Sequence, residues 1–219
     1  MGIDSMEKFA LDYSLQLAHT PIFLDTETNG YGRFRPGAQD ILQISWIVGA
    51  CTGTGLFRNF YVNEKTNINP RAFDVHGITH EFLQEHGMPF ERAMELLVSD
   101  IINCSNPLIV CHNAAFDIGC VLHTAKKMGV DESFRHRFSS TPYLCTMKIG
   151  ANICKIPGFR GSEYKFPKLV ELCEHVGLDS KTLDLDRQHD ALQDASVLRM
   201  VFEAGLNSGF FTLRVCESQ

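Results

Sequence analysis

Several features that would direct a protein to a membrane or to an oxidising compartment are missing from this sequence. No apolar run approaches the roughly 18 residues of a transmembrane helix, and the first residues carry early acids without the apolar centre of a signal peptide. No C-x-x-C pair occurs among the eight cysteines, so a zinc site is not expected and the cysteines are expected to be reduced core residues. The sequence predicts a soluble, intracellular protein, of undefined compartment, with no membrane partner.

Internal repeats, low-complexity tracts and linkers rich in Pro or Ser are also absent. The 219 residues and the hydrophobic content of 44% suit one domain with a full core. We expect a single domain over residues 1–219, with a core at about 20–206, an N-terminal helix within 1–19 and a C-terminal tail at 207–219. The sequence leaves open whether this tail packs on the domain or meets a partner.

An excess of basic residues is lacking as well, because the formal net charge is −6. Taken alone, this charge argues mildly against a nucleic-acid ligand, since phosphates attract basic surfaces. Basic residues are nevertheless concentrated in the stretch 148–168, at Lys148, Lys155, Arg160, Lys165 and Lys168. Charge therefore does not decide the ligand. The basic stretch either follows the phosphates of a strand or is a solvated loop.

The spacing of apolar residues predicts an α/β domain. Runs of β-branched and aromatic residues predict strands at 20–25, 40–50, 55–62 and 107–112, with a further candidate at 143–148. Helices are predicted at 5–18, in two short pieces within 69–87, and at 90–102, 114–129, 166–177 and 191–205, with a loop at 149–165. A strand meander followed by βα units implies a mixed sheet flanked by helices, whose ligands collect at the carboxyl ends of the strands.

Three acids follow predicted strands. In FLDTE, Asp25 and Glu27 stand two residues apart, so both carboxylates leave the same face of an extended chain. After the fourth strand, Asn113 is a candidate N-cap that places Asp117 on the fourth helical residue. A turn or cap is the ordinary alternative for the first pair, and the helix dipole alone favours an acid at the third position.

The stretch HDALQDA opens the last predicted helix. In one regular helix His189 and Asp194, five residues apart, would not share a face. Asp190, followed three residues later by Gln193, resembles a capping box. With Asp190 as the N-cap, His189 and Asp194 take the two positions that meet in a hydrophobic staple. The alternative is a solvated cap beside an unrelated histidine.

Together these motifs resemble the DEDDh branch of the DnaQ-like 3′→5′ exonucleases, a family with an RNase H-like fold. The resemblance covers about residues 20–206 and is carried by DTET, HNAAFD and HDALQDA, with VHGIT and YKFPKLVELCEHVGL as secondary matches. A related branch requires a tyrosine four residues before the last Asp, where this chain has Asp190. The implied fold is α/β, an RNase H-like mixed five-stranded sheet whose first three strands form a meander, flanked by helices.

The resemblance implies a metal-dependent exonuclease that releases nucleoside 5′-monophosphates from single-stranded DNA or RNA. Asp25, Glu27, Asp117 and Asp194 would hold two Mg²⁺ ions, for which Mn²⁺ would substitute. Asp25 would bridge the ions, Glu27 and Asp194 would complete the site of the ion that activates water, and Asp117 would support the other ion largely through water. His189 would be the general base.

Contacts with the substrate are also implied by the resemblance. Thr28 and Asn29 would hold the terminal nucleotide, and Phe116 would stack on a base unless it belongs to the core. His76 and His80 stand four residues apart, as zinc ligands on a helix do, but a glycine interrupts them. Because the family places this segment beside the nucleotide pocket, we expect no zinc there.

The chain departs from the family pattern at two places. Gln43 stands where many members carry Glu, and Cys145-Thr146 stands where many carry Asp-Thr. Neither position is a core metal ligand, so we expect activity to survive. Both positions lie near the expected site and can affect substrate preference.

Other functions remain open at this point. DNA and RNA are cut by the same core, so proofreading and RNA processing are both open. A DnaQ-like module that binds nucleic acid or protein without cutting would not need all five polar groups, and a structural protein would use its acids only as caps. The expected partners are the 3′ ends of single-stranded DNA or RNA. A homodimer or a non-covalent association with a polymerase is also open.

Overall fold

The computed structural model of the protein describes residues 19–30, 39–49, 55–158, 163–181, 183 and 189–211. The helix expected at 5–18 and the end of the tail lie outside these ranges. Among the residues that are described, no helix is both long and apolar enough to cross a membrane.

Within the described ranges, five strands form one mixed sheet in the order β3-β2-β1-β4-β5. The strands are β1 Thr20–Thr28, β2 Ile41–Val48, β3 Leu56–Tyr61, β4 Pro107–Cys111 and β5 Tyr143–Cys145. β1, β2 and β3 form an antiparallel meander, whereas β4 runs parallel to β1, and β5 runs parallel to β4. The predicted mixed sheet that begins with a three-stranded meander is confirmed.

Eight helices flank the sheet in the described part of the chain: α1 Pro70–His76, α2 His80–His86, α3 Phe90–Asn103, α4 Ala114–Lys127, α5 Glu132–Ser139, α6 Thr146–Cys154, α7 Leu169–His175 and α8 Ala191–Asn207. The predicted break between the first two helices is confirmed at Gly77, which ends α1 with φ of 66°. This left-handed conformation carries no steric cost for glycine.

The segment after β5 was predicted wrongly. The strand expected at 143–148 ends at Cys145, and Thr146–Cys154, most of it within the expected loop, forms helix α6. A Cβ atom at Gly150 would lie 2.9 Å from Cγ of Pro167, so α6 packs closely on the segment that precedes α7. Glycine was interpreted as a loop signal, whereas here it allows close packing inside a helix. Helix α5, which begins after its N-cap Asp131, was also not expected.

The sheet separates two cores. Leu24 and Trp46 lie in the core that includes residues of α3 and α4, and Phe23 and Val110 lie in the core that includes residues of α7 and α8. β1 is therefore covered on both faces, as central strands of mixed sheets are. Because side chains alternate along a strand, Asp25 and Glu27 share the face of Phe23 and point toward the α8 side.

The cysteines behave as the composition predicts where they are described. The six that the structure describes form no disulfide bond: Cys104, Cys111, Cys120, Cys145, Cys154 and Cys173. Four of these six are buried, which confirms the prediction of core residues for these four. Cys51 and Cys216 lie outside the described residues.

Candidate active site

The carboxyl ends of β1 and β4 bring three of the predicted acids to one edge of the sheet. The two strands are parallel neighbours, and Asp25 and Glu27 lie near the end of β1. Helix α4 begins at Ala114, just after β4, and carries Asp117 in its first turn. The Oγ1 atom of Thr26 donates to Oδ1 of Asp117 at 2.9 Å, which links α4 directly to β1.

The start of α8 brings the histidine and the fourth acid together. Asp190 is the N-cap, and its Oδ1 accepts from the amides of Leu192 and Gln193, each at 3.0 Å. This cap reverses the chain, so Nδ1 of His189 lies 3.0 Å from Oδ2 of Asp194. The predicted meeting of these two side chains is confirmed. The capping box predicts a hydrogen bond from the Gln193 side chain to the backbone of Asp190. Instead, Nε2 of Gln193 donates to the carbonyl of Leu183 at 3.2 Å.

The five predicted side chains lie in one cluster. Ligand atoms of Glu27, His189 and Asp194 lie within 4.8 Å of one another. Burial, and then the charges of Asp117, Asp194 and Glu27, raise the pKa of Asp25 well above its usual value. The residues that the sequence separates by more than 160 positions therefore share one electrostatic environment.

This environment disfavours negative charge. Burial, followed by the charge of Asp194, raises the pKa of Glu27 to about 8. Burial also raises the pKa of Asp117 to about 7, although the bond from Thr26 partly opposes the shift. Carboxylates that repel one another in this way become favourable when a cation joins them. The donor set of buried and half-buried carboxylate oxygens fits a hard divalent cation.

His189 is the accessible member of the cluster, with 58% of its side chain exposed. The hydrogen bond with Asp194 raises the pKa of His189, while partial burial and the charge of Lys168 oppose this rise. The backbone amide of His189 donates to the carbonyl of Val75 at 3.0 Å. The main chain of His189 is thus fixed by a hydrogen bond, and much of its ring is accessible to solvent.

Thr28 is held from the side of α1. Its carbonyl lies 3.2 Å from Nε2 of His76, and the amide of Ile78 donates to Nδ1 of the same ring at 3.0 Å. Because Nδ1 accepts, the tautomer with hydrogen on Nε2 fits both contacts. Both ring nitrogens of His76 are engaged with the main chain, and this histidine fixes the end of β1.

Asn29 joins three segments of the chain. Its Oδ1 accepts from the amide of Asp40 at 2.9 Å, and its Nδ2 donates to Oγ1 of Thr66 at 2.6 Å and to the carbonyl of Asn67 at 3.2 Å. The backbone amide of Asn29 donates to the carbonyl of Asp40 at 2.9 Å. A direct contact between a donor of Asn29 and a nucleotide would therefore have to displace a bond within the protein.

Phe116 lies one residue before Asp117 and is half-buried. Part of its ring packs against the core on the α3 and α4 side of the sheet. The rest of its surface is accessible to solvent. Core packing therefore accounts for part of Phe116, and base stacking by the accessible part stays a prediction.

Comparison with known proteins shows the family of this chain. Residues 22–202 match the family model named RNase_T, which describes exonucleases. The chain belongs to the DnaQ-like exonuclease family. The predicted resemblance to the DnaQ-like exonucleases is thereby confirmed.

Relatives of this DnaQ-like protein include subunits of bacterial DNA polymerase. It is 31% identical over 190 residues to the DNA polymerase III subunit epsilon of Pasteurella multocida, an alignment that covers 83% of this chain and 66% of that protein. It is 30% identical over 192 residues to the corresponding subunit of Escherichia coli, with 84% and 70% covered. The chain thus spans about two thirds of the length of these relatives.

Solved structures show the same fold. E. coli exonuclease I in complex with a dA16 oligonucleotide superposes with a TM-score of 0.65 at 16% identity, over 86% of this chain and 41% of that one. The cell-death related nuclease CRN-4 gives a TM-score of 0.64 at 17% identity, over 87% and 64%. The predicted RNase H-like fold of the DnaQ-like chain is confirmed.

Two polar residues near the cluster were not predicted to support it. His112 lies 3.1 Å from Oγ1 of Thr146 through Nδ1 and 3.1 Å from the carbonyl of Pro167 through Nε2. It therefore ties the end of β4 to the segment that carries Lys168. Gln43, a departure from the family pattern that was expected near the site, bonds to the start of α8. The position of His112 inside the motif HNAAFD was the sequence signal that could have predicted its supporting role.

Proposed function

We propose that this protein is a metal-dependent 3′→5′ exonuclease of the DEDDh type that releases nucleoside 5′-monophosphates from single-stranded DNA or RNA. The observation that carries the proposal is the meeting of Asp25, Glu27, Asp117 and Asp194 beside His189. Mutual repulsion among acids in a buried cluster costs stability unless a ligand compensates it. Such perturbed groups mark functional sites more often than structural ones.

The same four carboxylates would hold two Mg²⁺ ions, and Mn²⁺ would substitute for them. When bound, the ions supply Lewis-acid stabilisation of the phosphate and lower the pKa of water. The charge of Asp190 also reaches Asp25 and Glu27, so the negative potential at the site exceeds that of the four ligands. This potential attracts cations before a phosphate arrives.

His189 acts as the general base in the proposed reaction. Its Nδ1 is engaged with Asp194, so Nε2 is the nitrogen that takes the proton from the attacking water. The water oxygen bonds to the phosphorus of the last phosphodiester, the bond from that phosphorus to the 3′ oxygen of the preceding nucleotide breaks, and that oxygen takes a proton from solvent. Asp194 stabilises the imidazolium as it forms, because an adjacent carboxylate favours the charged ring.

Residues around the cluster are proposed to contact the parts of the strand that do not react. Thr28 and Asn29 lie where β1 ends and are proposed to border the terminal nucleotide, with Phe116 stacking on a base. Lys168 is close enough to oppose the protonation of His189, so its charge is available to a phosphate of the strand. Exonuclease I bound to dA16 supports single-stranded DNA as the first substrate to test, with RNA as the second.

The test compares DNA and RNA strands of one sequence, labelled at either end, with Mg²⁺, Mn²⁺ or EDTA. A 5′-labelled strand that shortens stepwise and a 3′-labelled strand that loses its label at once would support the direction of cutting. Asp25→Asn and His189→Ala should both abolish the ladder. Strand binding with no shortening in either metal would favour the alternative, a non-catalytic DnaQ-like module that binds nucleic acid or protein.

The epsilon relatives support a separate proposal about assembly, because they are named as subunits of a polymerase. A non-covalent association with a polymerase and a homodimer make different predictions about mass. Light scattering of the purified chain, alone and mixed with a replicative polymerase subunit, distinguishes the two.

A further inference from the structure

Gln43 lies in β2 with only 1% of its surface exposed, yet its side-chain amide bonds to the N-cap of a helix 147 positions later. Its Nε2 donates to Oδ2 of Asp190 at 2.8 Å, and its Oε1 accepts from the amide of Ala191 at 3.2 Å. A third contact runs from Nε2 to Oδ1 of Asn59 on β3 at 3.0 Å. A single side chain therefore joins β2, β3 and the start of α8.

These contacts complete the N-terminus of α8. Ala191 is the first helical residue, and its amide has no acceptor within the helix. Gln43 supplies that acceptor from the sheet. Oδ1 of Asp190 caps the helix by accepting from the amides of Leu192 and Gln193. Gln43 donates to the other oxygen, Oδ2. The first turn of α8 is thus attached to β2 as well as capped.

The attachment lies beside the reacting groups. Gln43 is the partner of Glu27 in the register between β1 and β2, and His189 directly precedes the residue that Gln43 holds. On its other side, the backbone of His189 is held by the carbonyl of Val75 at 3.0 Å. His189 therefore lies between two anchors, one on α1 and one on β2.

We propose that Gln43 is a positioning residue for His189, and that the position requires a neutral amide because Asp190 follows the histidine. The proposal rests on the exonuclease function proposed above. The side chain of Asp190 accepts from Gln43 and also hydrogen-bonds with Tyr61, and the amide of Ala191 needs an acceptor. An amide at position 43 supplies a donor and an acceptor, whereas a carboxylate there would face Asp190 at 2.8 Å and add charge next to Glu27.

Gln43→Met tests the two bonds, because methionine keeps the length of the side chain and removes both polar atoms. We expect kcat to fall by about 10- to 100-fold with KM within about twofold, since a small misplacement of a catalytic group is costly. Asn59→Ala is the matched control, because it removes a partner of Gln43 and leaves both bonds to α8. Its kcat should stay within about twofold of the wild type.

A charge exchange tests the requirement for an amide. Gln43→Glu should lower kcat about as much as Gln43→Met, since two carboxylates would meet. Adding Asp190→Asn should restore most of the activity, because asparagine is an equally good N-cap and its amide can donate to the new carboxylate. A double variant no more active than the product of the two single effects would overturn the electrostatic part of the proposal.

Amide hydrogen exchange gives a readout that does not need catalysis. In Gln43→Met without metal, the amide of Ala191 should exchange faster, whereas in Asn59→Ala it should not. Unchanged exchange at Ala191, or equal loss of kcat in both variants, would overturn the positioning role. If the wild type cuts no strand, the proposed function fails, and the exchange result still shows whether Gln43 holds the start of α8.

Discussion

Nδ1 of His189 lies 3.0 Å from Oδ2 of Asp194, although five positions separate the two residues in the sequence. The contact exists because Asp190 caps α8 and turns the chain before it. It joins an exposed imidazole to a carboxylate that belongs to a buried acidic cluster. Two roles for His189 follow from this geometry, general base or metal ligand, and they differ in what its removal does to metal binding.

His189→Ala is expected to lower kcat by about 10²- to 10⁴-fold, the usual contribution of a general base. Mg²⁺ should still raise the melting temperature of this variant, because the four carboxylates remain and a bound ligand stabilises the folded state. Asp25→Asn is the matched control and should lose both activity and the stabilisation by Mg²⁺. If His189→Ala alone abolished the thermal shift, the histidine would be a ligand rather than a base.

The stability of the metal-free protein is expected to fall as pH rises from about 4.5 to about 8. In the unfolded chain, Asp117 and Glu27 ionise near 3.8 and 4.5, whereas in the folded chain their pKa values are about 7 and about 8. Between these limits the folded state retains protons that the unfolded state has lost. The raised pKa of His189 acts in the same direction above 6.5.

Thermal unfolding in EDTA at several pH values measures this effect. Asp117→Asn should flatten the dependence, because an amide does not ionise. Mg²⁺ should stabilise the wild type more at pH 8 than at pH 5.5, since the cations compete with protons for the carboxylates. The same pH dependence in EDTA for the wild type and Asp117→Asn would contradict the raised pKa of Asp117.

Lys168→Met is expected to weaken binding of a single strand and to reduce its dependence on salt by about one charge. The reason is that Lys168 carries an exposed charge close to His189. Lys165→Met is the matched control, because the Lys165 ammonium is already paired with Glu171. Fluorescence anisotropy of a labelled strand, measured in Ca²⁺ at several salt concentrations, compares the two. Equal salt dependence in both variants would remove Lys168 from the strand path.

Gly205→Ala is expected to destabilise the fold by about 1–3 kcal/mol, as overpacking does. A Cβ atom there would lie 2.1 Å from ring atoms of Phe211, which is 1% exposed and donates its backbone amide to the carbonyl of Gly205. In a Phe211→Ala background the same change should cost nothing, because alanine is the better helix former. Urea unfolding of the four proteins gives the coupling. Additive effects would mean that Phe211 does not pack on α8.

Local patterns in the sequence were sufficient for the parts of the site that depend on short-range geometry. Asp25 and Glu27 share a face because strand side chains alternate, and the cap at Asp190 requires only the residues beside it. Helix α6 was missed because the role of Gly150 depends on Pro167, which is distant in sequence. The same limit applies to Asn29, because its side-chain amide hydrogen-bonds to Asp40 and Thr66, which are distant in sequence.

By itself, the sequence determined the family, the order of the strands along the chain and the five side chains that meet at the end of β1. These depend on periodicity, caps and motifs, which act over a few residues. Only the tertiary structure decided which groups hold those side chains and their neighbours, such as Thr26 at Asp117 and Gln43 at Asp190, which follows His189. Hydrogen bonds between distant segments follow from how the layers pack, and no local pattern encodes that packing.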